Sequence, residues 1–178
     1  MDMTAQLMRT ALKSLNRRLK KPVHLIVGGG GAMLLAHHFS LSTKDIDAVP
    51  AKGVTMDELD PYIKEVAKEL ELAPDWLNPY YSTFAHVLPT DYGSRLVEIF
   101  SLKWLKVSAL SKEDLLIMKC FAARQKDVVH ARALFRKGTR LDIVKKQFEY
   151  LKARRIPGCD KASNFLTEIE AFFSERGE

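Results

Sequence analysis

Apolar residues recur at three- and four-residue spacing over 4–20 (Met8, Ala11, Leu12, Leu15, Leu19), which predicts an amphipathic helix that Pro22 brings to an end. The next residues, VHLIV (23–27), are apolar and partly β-branched, and predict a strand that stops at four glycines. A short helix over 32–39 and a second strand over 45–49, closed by Pro50, follow from the same patterns. MDELDPYIKEVAKELEL (56–72) predicts a longer helix with Asp57 and Asp60 near its positive end. Residues 73–93 show no period and are rich in Pro and Tyr, so they are expected to be irregular. RLVEIF (95–100) and WLKVSAL (104–110) predict two more strands. From Ser111 the period is helical to the end, and Ser111 with Asp114 matches a capping box. Two apolar stripes (Leu141, Val144, Phe148, Leu151 and Phe165, Ile169, Phe172, Phe173) mark helices of structural rather than chemical use.

This order predicts an α/β (α+β) core over 1–110 and a helical region over 111–178 that packs on it. The chain's 178 residues bury enough surface to dispense with disulfides. The two cysteines, Cys120 and Cys159, lack metal-ligand spacing, and the N-terminus lacks the continuous apolar stretch of a signal peptide, so the protein is read as cytoplasmic. No apolar run approaches the roughly 20 residues that cross a bilayer. The net charge of +6 changes the picture only locally. Basic clusters at Arg17-Arg18 with Lys20-Lys21, at Arg136-Lys137 with Arg140, and at Lys152 with Arg154-Arg155 either attract a polyanion such as RNA or line solvated helix faces.

The chemistry concentrates between Ile26 and Asp47, IVGGGGAMLLAHHFSLSTKDID. A Walker loop is excluded, because no lysine follows the glycines. A dinucleotide fingerprint fits Gly28 and Gly30, with Asp45 or Asp47 at about the right distance, but Met33 replaces its third glycine. The remaining reading joins glycines and carboxylates. Alternation on a strand puts Asp45 and Asp47 on one face, where a hard cation relieves their repulsion. The glycine turn can offer main-chain N–H groups to the phosphates that such a cation carries. Against it stands the plain alternative of a tight turn beside a solvated strand face. His37 and His38, adjacent on a helix and about 100° apart, make a poor metal pair. Trp76 and Asn78 line a base pocket or anchor the irregular stretch.

Gly29-Gly30-Gly31-Ala32 followed by Thr43-Lys44-Asp45-Ile46-Asp47 resembles the polymerase-β-like nucleotidyltransferase superfamily, in its bacterial toxin-like (abortive-infection) and uncharacterised nucleotidyltransferase-like branch. APDWLN (73–78) and LSKEDLLIMKCFAARQKDVVHARAL (110–134) resemble further motifs of that branch, so the likeness spans about 26–134. It implies a mixed sheet flanked by helices, with a C-terminal helical subdomain. The implied activity moves a nucleoside monophosphate from an NTP to a hydroxyl of RNA, such as tRNA, or of a protein, with Mg²⁺ or Mn²⁺ as cofactor. It also implies a toxin or antitoxin as a protein partner. Asp45, Asp47, Lys119 and Asp127 would be catalytic. Gly29, Gly30, Thr43 and Lys44 would lie at the nucleotide, and Glu98 would join Asp45 and Asp47 as the third metal ligand. Lys119 would reach the triphosphate, and Arg124 and Lys126 would flank Asp127. Leu41 replaces an expected arginine and His130 an expected aspartate. Those departures carry the alternative of a catalytically weak relative that binds or regulates.

Overall fold

The structure, a computed structural model, describes residues 2–40 and 43–175. Its elements run α1 (Ala5–Arg18), β1 (Val23–Val27), α2 (Gly29–Leu35), β2 (Ile46–Pro50), α3 (Met56–Glu69), β3 (Leu77–Asn78), β4 (Val97–Ser101) and β5 (Leu105–Ala109). Four helices follow: α4 (Lys112–Ala122), α5 (Gln125–Arg136), α6 (Leu141–Ala153) and α7 (Cys159–Ser174). The class is the expected mixed α/β fold: a five-stranded mixed sheet, flanking helices and a helical C-terminal part. Among the described residues, no helix is long and apolar enough to cross a membrane.

The chain forms two compact units, Met1–Thr83 with Arg95–Leu110, and Phe84–Ser94 with Ser111–Glu178. One division falls at Leu110/Ser111, and Phe84–Ser94 belongs to the helical unit. One bond that ties it there runs from the Gln147 side-chain amide on α6 to the Val87 carbonyl, at 2.9 Å.

In the first unit the strand order is β3-β2-β1-β5-β4. The pairs β1/β5 and β2/β3 are parallel, and β1/β2 and β4/β5 are antiparallel. Register sorts the side chains into two faces. Leu25, Val27, Ala48, Val107 and Ala109 stand on one face and are fully buried. The other face is polar: His24 pairs with Lys106, Ile26 with Ser108, and Glu98 with Ser108. His24 Nε2 lies 2.9 Å from Ser108 Oγ there, and Lys106 makes an ion pair with Glu98. Alternation from Val49, which pairs with Ile26, puts Asp47 on this polar face.

Local signals explain the helices. Thr4 caps α1 by accepting from the Leu7 N–H, and Met8, Ala11, Leu12 and Leu15 supply its buried stripe. Thr55 and Glu58 form a capping box on α3. Ser111 accepts from the Asp114 N–H and donates to its carboxylate at 2.7 Å, so the predicted cap opens α4. In α2, by contrast, the helix starts at Gly29 rather than at Ala32.

The stretch expected to be irregular, 73–93, holds the short strand β3 and two 3₁₀ segments, Tyr80–Val87 and Tyr92–Arg95. Trp76 explains the order at its start. Its ring is wholly buried, its Nε1 donates to the Ile63 carbonyl of α3 at 3.0 Å, and its own carbonyl accepts the Ile46 N–H at 2.7 Å. A bulky anchor thus fixes the backbone where hydrophobic periodicity is silent. Trp76→Ala is expected to lower the unfolding free energy by about 3–5 kcal/mol through the cavity it leaves. Trp76→Phe, which keeps a ring and loses the donor, should cost about 1–2 kcal/mol. Urea denaturation of both variants measures the split, and equal costs would remove the ring from its anchoring role.

Candidate active site

Asp45 immediately precedes β2 and Asp47 lies within it. Ile46 and Ala48 between and beyond them are fully buried, so the strand's alternation holds both carboxylates on the other side, half-buried. Asp45 Oδ2 accepts from the Asn78 side-chain amide at 3.0 Å. The Thr43 hydroxyl stands within 3.4 Å of Asp45 Oδ1 and 3.3 Å of its carbonyl. Lys44 is exposed beside them. Asp47 is fixed through its main chain as well, since its carbonyl accepts the Gly28 N–H at 2.8 Å.

The glycines are required by what they touch. Gly29 has φ +55°, and a Cβ built there would stand 2.3 Å from Asp47 Oδ2. The left-handed conformation strains any side chain there, and a Cβ would displace the Asp47 carboxylate as well. At Gly28 a Cβ would fall 2.7 Å from the Tyr81 ring, and at Gly30 it would crowd Thr43 at 3.1 Å. The turn therefore lies directly against Asp47. Tyr81 was invisible to the sequence patterns. It is buried, covers Gly28 and donates its hydroxyl to the Ile26 carbonyl at 3.1 Å, yet it sits in an aperiodic stretch where no spacing marks it.

Two carboxylates on one face offer hard oxygen donors that suit Mg²⁺ or Mn²⁺, cations that complete their shell with water and phosphate oxygens. Glu98 does not join them. It lies on β4, separated from β2 by β1 and β5, which places it three strand spacings, about 14 Å, from Asp47. It is exposed and paired with Lys106. The strand order, which no local pattern encodes, overturns its role as third ligand. Among the described residues, no group of three or more His, Cys, Asp or Glu is placed to hold a metal. Leu41 lies outside the described residues.

His37 has a structural contact: its Nε2 donates to the Leu110 carbonyl at 2.8 Å. Several basic clusters are also engaged at home. Arg17 and Arg18 pair with Glu69, Arg18 also with Glu65, Lys21 with Glu58, Arg140 with Glu113 and Lys152 with Asp160.

Lys119 and Asp127 form a cluster within the helical unit. Lys119 Nζ lies 2.8 Å from Asp127 Oδ1, and Arg124 Nε donates to Asp127 Oδ2 at 2.8 Å. The same Oδ2 accepts the Arg124 N–H at 3.2 Å, so Asp127 closes the first turn of α5 as well. Asp127 is wholly buried and Lys119 only 6% exposed. Burial pulls the Lys119 ammonium below its ordinary value, against the opposing pull of Asp127. For Asp127, burial pushes the carboxyl up, but Arg124 and Lys119 outweigh it and leave it below the usual range. Cys120, next to Lys119, is buried with its thiol pushed well up, so it is a core residue and no nucleophile.

His130 faces this cluster, with a buried Nδ1 that has no hydrogen-bond partner among the described residues. Burial first, and the charge of Lys119 next, hold its imidazole down from 6.5 to about 4, although Asp127 favours the charged form. The unfolded chain therefore takes up a proton between pH 6.5 and about 4 that the folded chain refuses. Its contribution to stability is complete above the unfolded value and declines as pH falls toward the folded one. The loss across that window should be on the order of 2 kcal/mol. His130→Gln should flatten this part of the stability–pH curve in urea denaturation. An unchanged slope would assign the effect to other groups.

No curated protein and no solved structure matches the chain. A family model does match, over residues 5–171, and its span takes in the glycine turn, the acidic pair and the Lys119–Asp127 cluster alike. By that match the chain belongs to the family described as nucleotidyltransferase of unknown function (DUF6036).

Proposed function

We propose that the protein is a metal-dependent nucleotidyltransferase that moves a nucleoside monophosphate from an NTP to a hydroxyl of RNA or protein. The observation that carries this reading is the contact of the glycine turn with Asp47, whose Oδ2 would stand 2.3 Å from a Cβ at Gly29. Membership of a nucleotidyltransferase family supports it. Asp45 and Asp47 hold Mg²⁺ or Mn²⁺, which when bound supplies positive charge to the triphosphate. Gly29 and Gly30 bring the main chain to the nucleotide, and Thr43 and Lys44 flank it. In the reaction the acceptor oxygen bonds to the α-phosphorus as the bond to the bridging oxygen breaks. Pyrophosphate leaves, and the hydroxyl proton passes to solvent. The protein's share is positioning and electrostatics.

Lys119 and Asp127, the further catalytic residues that the resemblance implies, pair with each other between α4 and α5. The likeness to toxin-like proteins extends the reading to one half of a toxin–antitoxin pair in the cytoplasm. A second reading, a module that binds nucleotide without turnover, draws on the two-carboxylate donor set and on His130 where an aspartate was expected.

Asp47→Asn is expected to cut transfer by about 100-fold or more, because it removes a charge aimed at the reacting phosphates. The assay follows label from each α-labelled NTP, with Mg²⁺, into total cellular RNA or protein, with circular dichroism as the check on folding. Transfer undiminished in a folded Asp47→Asn protein would sink the enzyme reading. NTP binding without transfer by the unaltered protein would move the assignment to the binding module.

A further inference from the structure

The position on the sheet next to the acidic pair belongs to Asn78. Strand β2 has two neighbours, β1 and β3. On the β1 side the main chain level with Asp47 is the glycine turn, through Gly28. On the β3 side Asn78 stands opposite Asp47. A third side chain supplied to this site by a neighbouring strand is therefore that of Asn78.

Its amide orientation is fixed by its partners. Oδ1 accepts the Tyr80 N–H at 3.0 Å, and Nδ2 donates to the Asp75 carbonyl at 3.2 Å and to Asp45 Oδ2 at 3.0 Å. Turning the amide over would set its NH₂ against the Tyr80 N–H and its oxygen against both the Asp75 carbonyl and the Asp45 carboxylate. The group that meets Asp45 is thus a donor, and a donor N–H cannot ligate a cation. It orients the carboxylate instead, as outer partners of metal ligands do.

We propose that Asn78 is the positioning residue of the acidic pair, holding Asp45 in place beside Asp47 and, being neutral, limiting the site to two carboxylates and one divalent cation. The inference rests on the reading of Asp45 and Asp47 as metal ligands. It makes an unusual demand on variants at one position, because two substitutions must act in opposite directions. Asn78→Ala removes the orienting donor and should weaken binding of Mn²⁺ by about 10-fold or more. Asn78→Asp keeps an oxygen for the Tyr80 N–H and brings a third hard ligand to the pair, so it should tighten Mn²⁺ by about 10-fold or add a second ion. A residue that merely shaped the turn would weaken binding in both variants.

The experiment titrates the full chain with Mn²⁺ alone and reads the free ion by electron paramagnetic resonance, with circular dichroism on each variant. One Mn²⁺ per chain, lost in Asp47→Asn, weakened in Asn78→Ala and strengthened or doubled in Asn78→Asp, establishes the proposal. Two ions on the unaltered chain, or equal weakening in both Asn78 variants, overturns it and leaves the metal-ligand reading standing. No Mn²⁺ bound by the unaltered chain overturns both. Should Asn78→Asp not fold, the ion count of the unaltered chain together with Asn78→Ala decides: one ion and weaker binding support the proposal, while two ions or unchanged affinity reject it.

Discussion

The candidate site depends on one close approach, that of the Gly29 main chain to the Asp47 carboxylate. A single added carbon would stand 2.3 Å from Oδ2, and the backbone there is left-handed as well. The backbone constraint holds whatever the space, and a Cβ at Gly29 would in addition push the Asp47 carboxylate out of its place. The same turn is pinned from the strand by the Gly28 N–H on the Asp47 carbonyl, and is covered at Gly28 by the Tyr81 ring. Consecutive glycines thus serve different contacts in one small volume. Turn and acidic strand are consequently a single unit of structure, and neither keeps its geometry without the other.

Around that unit the sheet separates stability from chemistry. One face carries Leu25, Val27, Ala48, Val107 and Ala109, all without exposure, and supplies the hydrophobic contribution that holds the strands. The other face carries Asp47, His24, Ser108, Lys106 and Glu98, and its polar groups find partners along the sheet. The strand that holds Asp47 is therefore anchored by Ile46 and Ala48 behind it. Rigid placement of like charges on a partly buried surface is costly unless a cation or donors answer them. Here Asn78 and Thr43 answer Asp45.

The helical unit uses charge differently. Lys119 and Asp127 are buried together, with Arg124 as a second cation on the same carboxylate. Such a group adds little net stability over an apolar replacement, but loss of one partner strands the others in a low-dielectric interior. This arrangement accounts for the spacing of the motif: Asp127 stands eight positions after Lys119, across the left-handed Ala123 (φ 43°) that ends α4 and the cap that opens α5. His130 completes the cluster as a neutral neighbour that burial keeps from charging.

What the sequence by itself determined is what periodicity and caps encode: β1, the two amphipathic helices α1 and α3, the cap that opens α4, and the shared face of Asp45 and Asp47. Those features arise within a few residues of chain, so spacing alone reveals them. The approach of Gly29 to Asp47, the cover of Tyr81, the order within 73–93 and the clamp of Asn78 on Asp45 were decided only by tertiary structure. Each joins residues that lie far apart in the chain or in aperiodic stretches, and Trp76 holds its loop through one buried ring rather than a pattern. Glu98 marks the same limit from the other side. Its strand was legible and its residue type suitable, but a strand's place in the sheet is set by pairing between distant segments, and that order put it three strands away from the acids it was expected to join.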